Sequence, residues 1–386
     1  MLLQRSDLKI LFAALWADMA AAQTVFIQPA YVDTLARYSG LGPERAGYVL
    51  SWEMTAFAIT TIAMAFFSQS LPWKRTIWAA LLVIASGNVL SVFLNDFEQL
   101  LIVRILVGGA SGLIVPLAFA TVGRLANPER AFGLMIGVLL IYAALFLGIM
   151  PWLTSVAGAT GLFGGMLVTC ILAALGMRWF PGDSSPKDTG GRHKFNWPAK
   201  GHRLALAGML LYFAHLTSFW SFASVIAQNN RVSEGSIAVA LATSQIAGIA
   251  GAILPAVWGE RIPYLRALAL GVLGCVVSVA ILLVLTDAST FLLAVLLFHF
   301  GWNLGHSYLL ALFARLDPTS NLIVMATAMQ KVGIAAGPAI AAAIYGTKGS
   351  DWVMVASLLL GLAAMAALTP AARSRKVTKE QEFLIS

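Results

Sequence analysis

The chain alternates between long apolar stretches and short polar joints. Twelve of the apolar stretches reach roughly the 20 residues that a helix needs to cross a bilayer. They begin near Ile10, Gly47, Trp78, Leu100, Phe132, Gly161, Leu204, Ile237, Ala267, Phe291, Leu322 and Trp352. Lipid cannot satisfy the polar groups of irregular backbone, so a run of such segments crosses the membrane as helices. The pattern therefore predicts an all-α integral membrane fold with twelve transmembrane helices.

Composition supports a membrane protein. Hydrophobic residues make up 59% of the chain and charged residues 11%, which is more apolar than a soluble domain needs. Cys170 and Cys275 lie within apolar stretches without metal or disulfide spacing, so we interpret them as small core residues. The first apolar stretch lacks a cleavage-site pattern and contains Asp18, which favours a retained first helix over a signal peptide.

The net charge of +8 follows from membrane topology and does not require a nucleic acid partner. With the amino terminus in the cytoplasm, nineteen of the 25 Lys and Arg residues lie on the cytoplasmic side of the membrane. Two lie within apolar stretches, Arg104 and Lys331. The remaining four lie on the outer side of the membrane: Arg37, Arg45, Arg231 and Lys348. An excess of basic residues on one side fixes orientation. We therefore expect a multi-pass protein in the inner or plasma membrane, surrounded by lipid, with both termini in the cytoplasm.

A polar stretch rich in Pro, Gly and charge separates two sets of six predicted helices. The Arg-Leu pair at Arg124 recurs 191 residues later at Arg315, each time with a proline shortly after it. Basic turns near Lys74 and Arg261 recur at a similar separation. This duplication predicts an N-terminal bundle at 1–180, a cytoplasmic linker at 181–203, a C-terminal bundle at 204–371 and a cytoplasmic tail at 372–386.

Two motifs resemble those of the major facilitator superfamily, and the resemblance spans essentially the whole chain. In that family a basic motif, Gly-x-x-x-Asp-Arg-x-Gly-Arg-Arg, follows the second helix and recurs after the eighth. The second copy is recognisable as Glu260–Arg266 (ERIPYLR), whereas the first keeps Lys74 and Arg75 but lacks the Gly and the Asp. The run Arg104–Gly112 (RILVGGASG) is similar to the family's Arg-x-x-x-Gly-x-x-x-Gly signature, which is associated with proton coupling.

The resemblance implies two pseudo-symmetric six-helix bundles that rock about a midplane site, usually in a monomer. It also implies a gating role for the residues of the basic turns. These are Lys74, Arg75, Glu260, Arg261 and Arg266. The family's antiporter signature, Gly-Pro-x-x-Gly, is not matched at residues 148–152 (GIMPW), which disfavours a drug antiporter.

Several ionisable side chains lie inside apolar stretches, among them Arg104, Lys331, Asp18 and Glu53. A charge at the bilayer centre costs about 3 kcal/mol on insertion scales, so such residues usually face a protein-lined cavity. There they bind a solute or relay an ion or a proton. The group therefore predicts the movement of a solute rather than catalysis.

Lys331 is the first candidate for a solute contact, together with its neighbour Gln330. Counted from Asn321, it lies about 15 Å along its helix, too deep for the ammonium to reach the membrane surface easily. An ammonium that has lost its water attracts a carboxylate strongly, which favours an anchor for an organic anion. The alternative is an internal ion pair with a carboxylate that acts as a gate.

Polar residues at helical spacing form a second candidate group. His299, Asn303 and His306 share one face of the predicted tenth helix, and Tyr212 and His215 share one face of the seventh. We predict that they line the solute site, with interhelical hydrogen bonding and aromatic packing as the alternatives. No third convergent ligand accompanies the histidines, so neither a metal site nor a cofactor is expected.

Glu53 and Asp18 are the candidate proton carriers. Burial disfavours a charged carboxylate unless a cation lies beside it, and Arg104 is the obvious partner for one of the two. The sequence does not decide which one it meets. We favour Glu53 as the carrier, then Asp18, while a static salt bridge would explain either residue otherwise.

The sequence therefore predicts a proton-coupled symporter of a small organic anion. The runner-up is an exporter of drugs or hydrophobic cations, with Asp18 and Glu53 as ligands of the cation. A membrane enzyme acting on lipids or prenyl groups is disfavoured, because neither an acidic metal-ligand pair nor a phosphate-binding glycine loop is evident. A receptor or chaperone that transports nothing is a further alternative.

Overall fold

The computed structural model describes residues 5–67, 71–125, 128–182, 200–258, 261–285, 287–316 and 321–373. Within these ranges the chain is almost entirely helical and contains no strand. The helices are α1 (Arg5–Phe26), α2 (Gln28–Tyr38), α3 (Gly42–Phe67), α4 (Trp73–Phe93), α5 (Phe97–Val122), α6 (Pro128–Ala157), α7 (Ala159–Gly176), α8 (Lys200–Asn229), α9 (Glu234–Trp258), α10 (Tyr264–Val284), α11 (Ala288–Leu316), α12 (Asn321–Lys348) and α13 (Ser350–Arg373).

Most of these helices can cross a membrane. In the described part of the chain, eleven are long and apolar enough to do so. The long helix outside that set is α3, whose 26 residues include Glu53 near the middle. The short helix α2 continues α1 beyond a break at Ile27. The helices α1 and α2 together, followed by α3 to α13 one by one, correspond to the twelve predicted segments, and the predicted all-α membrane fold is confirmed.

The first predicted segment differs from the prediction because it is two helices rather than one. Pro29 has no backbone N–H and cannot donate to the carbonyl oxygen of Val25, which interrupts the helix. Hydrogen bonds from Ile27 N to Gln23 O (3.1 Å) and from Tyr31 N to Ile27 O (2.9 Å) continue on both sides. The interruption is therefore local, and the helical spacing of side chains persists across it.

The described chain divides into two compact units. The first comprises Met1–Gly191 with Ser221–Val225, and the second comprises Arg192–Trp220 with Ile226–Ser386. Residues 183–199 of the predicted linker and residues 374–386 of the predicted tail lie outside the described residues. The predicted boundaries near residues 180, 204 and 371 therefore stay predictions.

The core of the first unit consists mainly of small and aliphatic side chains. Ala17 of α1, Ile77 of α4 and Ile114 of α5 are completely buried in it. On the outer surface of the same unit, Leu106 and Leu145 are 60% and 69% exposed. A surface of this kind suits lipid, which solvates aliphatic side chains as well as a protein core does.

One aromatic–guanidinium contact of the first unit has a counterpart at the corresponding place in the second. In the first unit, the guanidinium carbon of Arg124 lies 3.9 Å from the ring centre of Trp73. In the second unit, that of Arg315 lies 5.2 Å from the ring centre of Tyr264. The two arginines are 191 residues apart, and so are the two aromatic residues. The contact therefore joins the start of α4 to the residues just beyond α5, and the start of α10 to the end of α11, as an internal duplication predicts.

Candidate functional site

The first unit holds a buried ion pair between α3 and α5. The Nε and Nη2 atoms of Arg104 donate to Oε2 and Oε1 of Glu53 at 2.9 and 2.7 Å. Both residues are buried, with 0% and 1% of their surface exposed. A two-point bond of this kind is among the strongest pairings of a guanidinium with a carboxylate. The structure thus pairs Arg104 with Glu53, and it places Asp18 on α1, also buried.

Three uncharged residues complete the hydrogen bonding of this pair. Thr24 donates to Oε1 of Glu53 at 2.9 Å, and Tyr31 donates to Oε2 at 2.8 Å. The Nη1 atom of Arg104 donates to Oδ1 of Asn88 at 2.8 Å. Each oxygen of the carboxylate therefore accepts two hydrogen bonds, which a buried charge requires. The cluster connects α1, α2, α3, α4 and α5.

Glycines on α5 let α3 come close enough for the pair to form. A Cβ atom at Gly108, one turn after Arg104, would lie 2.8 Å from the carbonyl carbon of Glu53. A Cβ atom at Gly112 would lie 2.5 Å from the carbonyl oxygen of Phe57. Side chains at these positions would push the two helices apart, as in other small-residue contacts between membrane helices.

Two glutamines on the first segment differ sharply in their hydrogen bonding. The Oε1 atom of Gln23 accepts from Tyr142 at 3.1 Å and from Thr169 at 2.6 Å. Gln28 lies one turn after Thr24 and is completely buried, yet neither of its amide atoms has a hydrogen-bond partner among the described residues. An unsatisfied buried amide costs about 1–3 kcal/mol.

In the second unit, His299 lies on α11 within a shell of aromatic and amide side chains. Its Nε2 atom lies 3.2 Å from Nε2 of Gln245. The Trp302 ring stacks on it at 5.4 Å, with 29° between the planes, and the Trp220 ring meets it edge-on at 4.3 Å. Asn303 donates to the carbonyl oxygen of His299 at 3.0 Å. The predicted row of polar residues therefore lies along α11, and His299 in it is packed against the rings of Trp220 from α8 and Trp302 from α11 itself.

His306 brings this stripe to Lys331. Both residues are half-buried, and Lys331 lies ten residues into α12. His306 lies near Gln330 and within electrostatic range of Lys331. Its ring meets the edge of Phe213 at 5.0 Å. The structure therefore brings together three of the residues predicted to bind the solute: Lys331, Gln330 and His306.

Tyr212 and His215 of α8 take part in contacts between helices. The hydroxyl of Tyr212 donates to the carbonyl oxygens of Trp302 and Gly301 at 3.0 and 3.3 Å. The Nδ1 atom of His215 lies 2.7 Å from the carbonyl oxygen of Ser357 on α13 and 2.9 Å from its Oγ atom. Both are completely buried. A direct contact of either residue with solute stays a prediction.

The residues that sequence analysis missed are uncharged. Thr24, Tyr31, Asn88, Gln28 and Gln245 give no signal of the kind that a buried charge gives. One signal was available, because positions 24, 28 and 31 have the same i, i+4, i+7 spacing that marks the stripe on α11. Polar spacing on the first segment would therefore have indicated the face that meets Glu53.

Comparison with known proteins decides the family. The family model described as Major Facilitator Superfamily matches residues 11–322, which is most of the chain. The chain belongs to the major facilitator superfamily. It is therefore a multi-pass membrane transporter of small-molecule solutes. No curated protein matches its sequence.

The fold of this superfamily member resembles that of a solved transporter. The crystal structure of a mutant of the nucleoside transporter NupG matches it with a TM-score of 0.72 at 13% sequence identity. The match covers 95% of this chain and 98% of that chain. At this identity the likeness concerns the fold alone.

The superfamily's basic turns are partly described. Lys74 donates from Nζ to the carbonyl oxygen of Phe180 at 3.2 Å, which ties the start of α4 to the end of the first bundle. The other predicted gating residues within the described ranges are exposed: Arg75, Arg261 and Arg266. Glu260 lies outside the described residues. The gating role of these residues stays a prediction.

Proposed function

We propose that this superfamily member is a proton-coupled secondary transporter that carries a small organic anion of the carboxylate class by alternating access. The observation that carries the proposal is that Lys331 is half-buried within α12 and lies within electrostatic range of His306. A charge inside a membrane protein usually serves binding or relay, and an ammonium in poor contact with water binds a carboxylate strongly. We place the protein as a monomer in the inner or plasma membrane, with both termini in the cytoplasm.

The groups around Lys331 suit an anion because they can donate hydrogen bonds. The ammonium offers three N–H donors and the amide of Gln330 offers two. The Nε2 atom of His306 is buried and has no hydrogen-bond partner among the described residues. That nitrogen can donate to a carboxylate oxygen whenever it carries a hydrogen. Asn303 and His299 extend the polar stripe along α11 by one and two turns.

The export of hydrophobic cations is the second candidate, and the hydrogen bonding of Glu53 disfavours it. A carboxylate that binds a cationic solute must have its oxygens available, whereas those of Glu53 accept four hydrogen bonds, two of them from Arg104. Nucleosides are a third candidate because NupG is a nucleoside transporter. They are uncharged and give Lys331 no counter-charge.

Competition during exchange transport tests the proposed solute class. Purified protein in liposomes loaded with an unlabelled carboxylate should take up the labelled compound, and liposomes without protein serve as the control. We expect excess carboxylates to compete, whereas uridine and a hydrophobic cationic dye do not. Competition by the dye alone would support the exporter, and competition by uridine alone would support a nucleoside carrier. Either result would contradict the proposal.

Proton coupling is assigned to Glu53 in this proposal, with Asp18 as the alternative carrier. A proton on Glu53 would remove the charge that Arg104 neutralises and would weaken the hydrogen bonds from Thr24 and Tyr31. These two residues join α1 and α2 to α3, so protonation at this carboxylate changes how the helices are held together.

Replacing Glu53 with glutamine should separate exchange from accumulation. We expect Glu53→Gln to be less stable than the wild type, because Arg104 loses its counter-charge. The protein that folds should exchange labelled for unlabelled solute, because the amide keeps the shape of the side chain, but should lose accumulation driven by a pH gradient. Uptake with and without the gradient in the same vesicles corrects for the amount of folded protein. The control is Glu44→Gln, an exposed glutamate on the same helix. Full accumulation by Glu53→Gln would exclude Glu53 as the carrier.

A further inference from the structure

Trp302 lies on the same face of α11 as the polar stripe. It is four residues before His306, so about 6 Å separates the two along the helix axis. Trp302 is half-buried, whereas Trp220 and Phe213 nearby are almost completely buried. Its backbone is held in place, because its carbonyl oxygen accepts the hydroxyl of Tyr212 at 3.0 Å.

The rings around Trp302 are arranged edge-on, with one exception. Phe213, Trp220 and Phe298 meet the Trp302 indole at 82° to 86° between planes, with ring centres 6.0 to 6.5 Å away. Among the described rings, His299 alone stacks on a face of this indole. An indole has two faces, and offset stacking or edge-to-face contact is how a further aromatic ring would pack against it.

Phe213 links this indole to the charged end of the site. Its ring lies 6.3 Å from that of Trp302 and 5.0 Å from that of His306, at a steep angle to both. An aromatic wall therefore runs from Trp302 to His306, and Lys331 is the charge at its end. The remainder of a carboxylate held at Lys331 can then contact this wall.

We propose that the transported anion is an aromatic carboxylate, whose planar ring packs against Trp302 while its carboxylate binds at Lys331. The inference rests on the proposed function, because it extends the same site at Lys331. In such a ligand the carboxylate binds at Lys331 and the ring packs against Trp302, which is connected to His306 through the ring of Phe213 at 6.3 and 5.0 Å. A ligand without a ring would use the ammonium but not the indole.

Phenylacetate and cyclohexylacetate provide a matched pair of ligands for the test. They share the carboxylate and the number of ring carbons, but only phenylacetate has a planar π-system. We expect wild-type protein to exchange phenylacetate with an apparent affinity about fivefold higher than that for cyclohexylacetate, because contact between two aromatic rings contributes more than the burial of the same apolar area. Equal affinity, or a preference for cyclohexylacetate, would overturn the inference.

Substitutions of Trp302 test whether its indole causes the preference for phenylacetate over cyclohexylacetate. Trp302→Leu should remove the preference for phenylacetate and leave cyclohexylacetate nearly unchanged, and Trp302→Phe should keep part of the preference. The control is Phe219→Leu, which removes a buried ring of α8 outside this wall, packed against Phe298 with ring centres 4.8 Å apart, and should keep the preference. An unchanged preference in Trp302→Leu would contradict the role of the indole. If Trp302→Leu does not fold, the wild-type comparison still decides the ligand class.

Lys331→Ala distinguishes failure of this inference from failure of the proposed function. If both carboxylates are exchanged equally well and Lys331→Ala abolishes both, the proposed function holds and the aromatic class is wrong. If neither carboxylate is exchanged, both proposals fail together. Loss of both in Lys331→Ala, with a ring preference in the wild type, supports both.

Discussion

Arg104→Met is expected to destabilise the folded transporter by about 3–5 kcal/mol, the usual penalty for removing one member of a buried ion pair. Glu53 would remain 1% exposed with hydrogen bonds from Thr24 and Tyr31 but without a counter-charge. Asn88 would also lose the donor that its side-chain oxygen accepts. Thermal unfolding in detergent should show a midpoint lower by several degrees.

Two further variants show whether the effect belongs to the pair. Replacing Glu53 and Arg104 together with methionine removes both charges and should restore most of the midpoint, because apolar residues of similar volume often replace a buried pair without loss. Arg266→Met removes an exposed arginine of α10 and should leave the midpoint unchanged. Because membrane proteins often unfold irreversibly, all variants are compared at one scan rate. A wild-type midpoint for Arg104→Met would show that the pair contributes little.

Gly108→Ala is expected to have the second-largest effect. The new methyl group would collide with the backbone of Glu53, so α3 must move away from α5. Overpacking of this kind costs about 1–3 kcal/mol, and the shift would also stretch the hydrogen bonds between Glu53 and Arg104. We expect a lower unfolding midpoint and reduced transport.

Gly109→Ala is the matched control for this substitution. A Cβ atom at Gly109 would meet Cγ2 of Thr60 at 3.8 Å, which is ordinary contact. The change should be neutral or should stabilise the helix by up to about 1 kcal/mol, because alanine favours helix more than glycine does. Equal midpoints for Gly108→Ala and Gly109→Ala would contradict the close approach of α3 and α5.

The spanning helices could be predicted from sequence because lipid imposes one simple rule on the backbone. Long apolar runs with polar joints leave little choice of structure. The break in the first segment was missed although Pro29 is present in the sequence. Proline inside a membrane helix does not always end it, since Pro116 and Pro151 lie within the uninterrupted helices α5 and α6.

The candidate site was predicted in part. The charged residues were identified because each is costly inside a membrane, and the histidine stripe because its spacing is regular. The partner of Arg104 was not predictable, since Glu53 and Asp18 lie on different helices and helix packing decides between them. Asn88 and Gln28 were missed because an uncharged side chain in an apolar helix costs little if it finds a partner, and the sequence does not reveal partners.

The anchoring of a carboxylate by the ammonium at position 331 is tested most directly by exchange transport in proteoliposomes that contain equal amounts of folded wild type, Lys331→Ala or Lys331→Arg. We expect rapid exchange of a labelled carboxylate by the wild type, background exchange by Lys331→Ala, and partial exchange by Lys331→Arg, which keeps the charge with a different shape. Exchange by Lys331→Ala at the wild-type rate and affinity would exclude Lys331 as the anchor of the carboxylate.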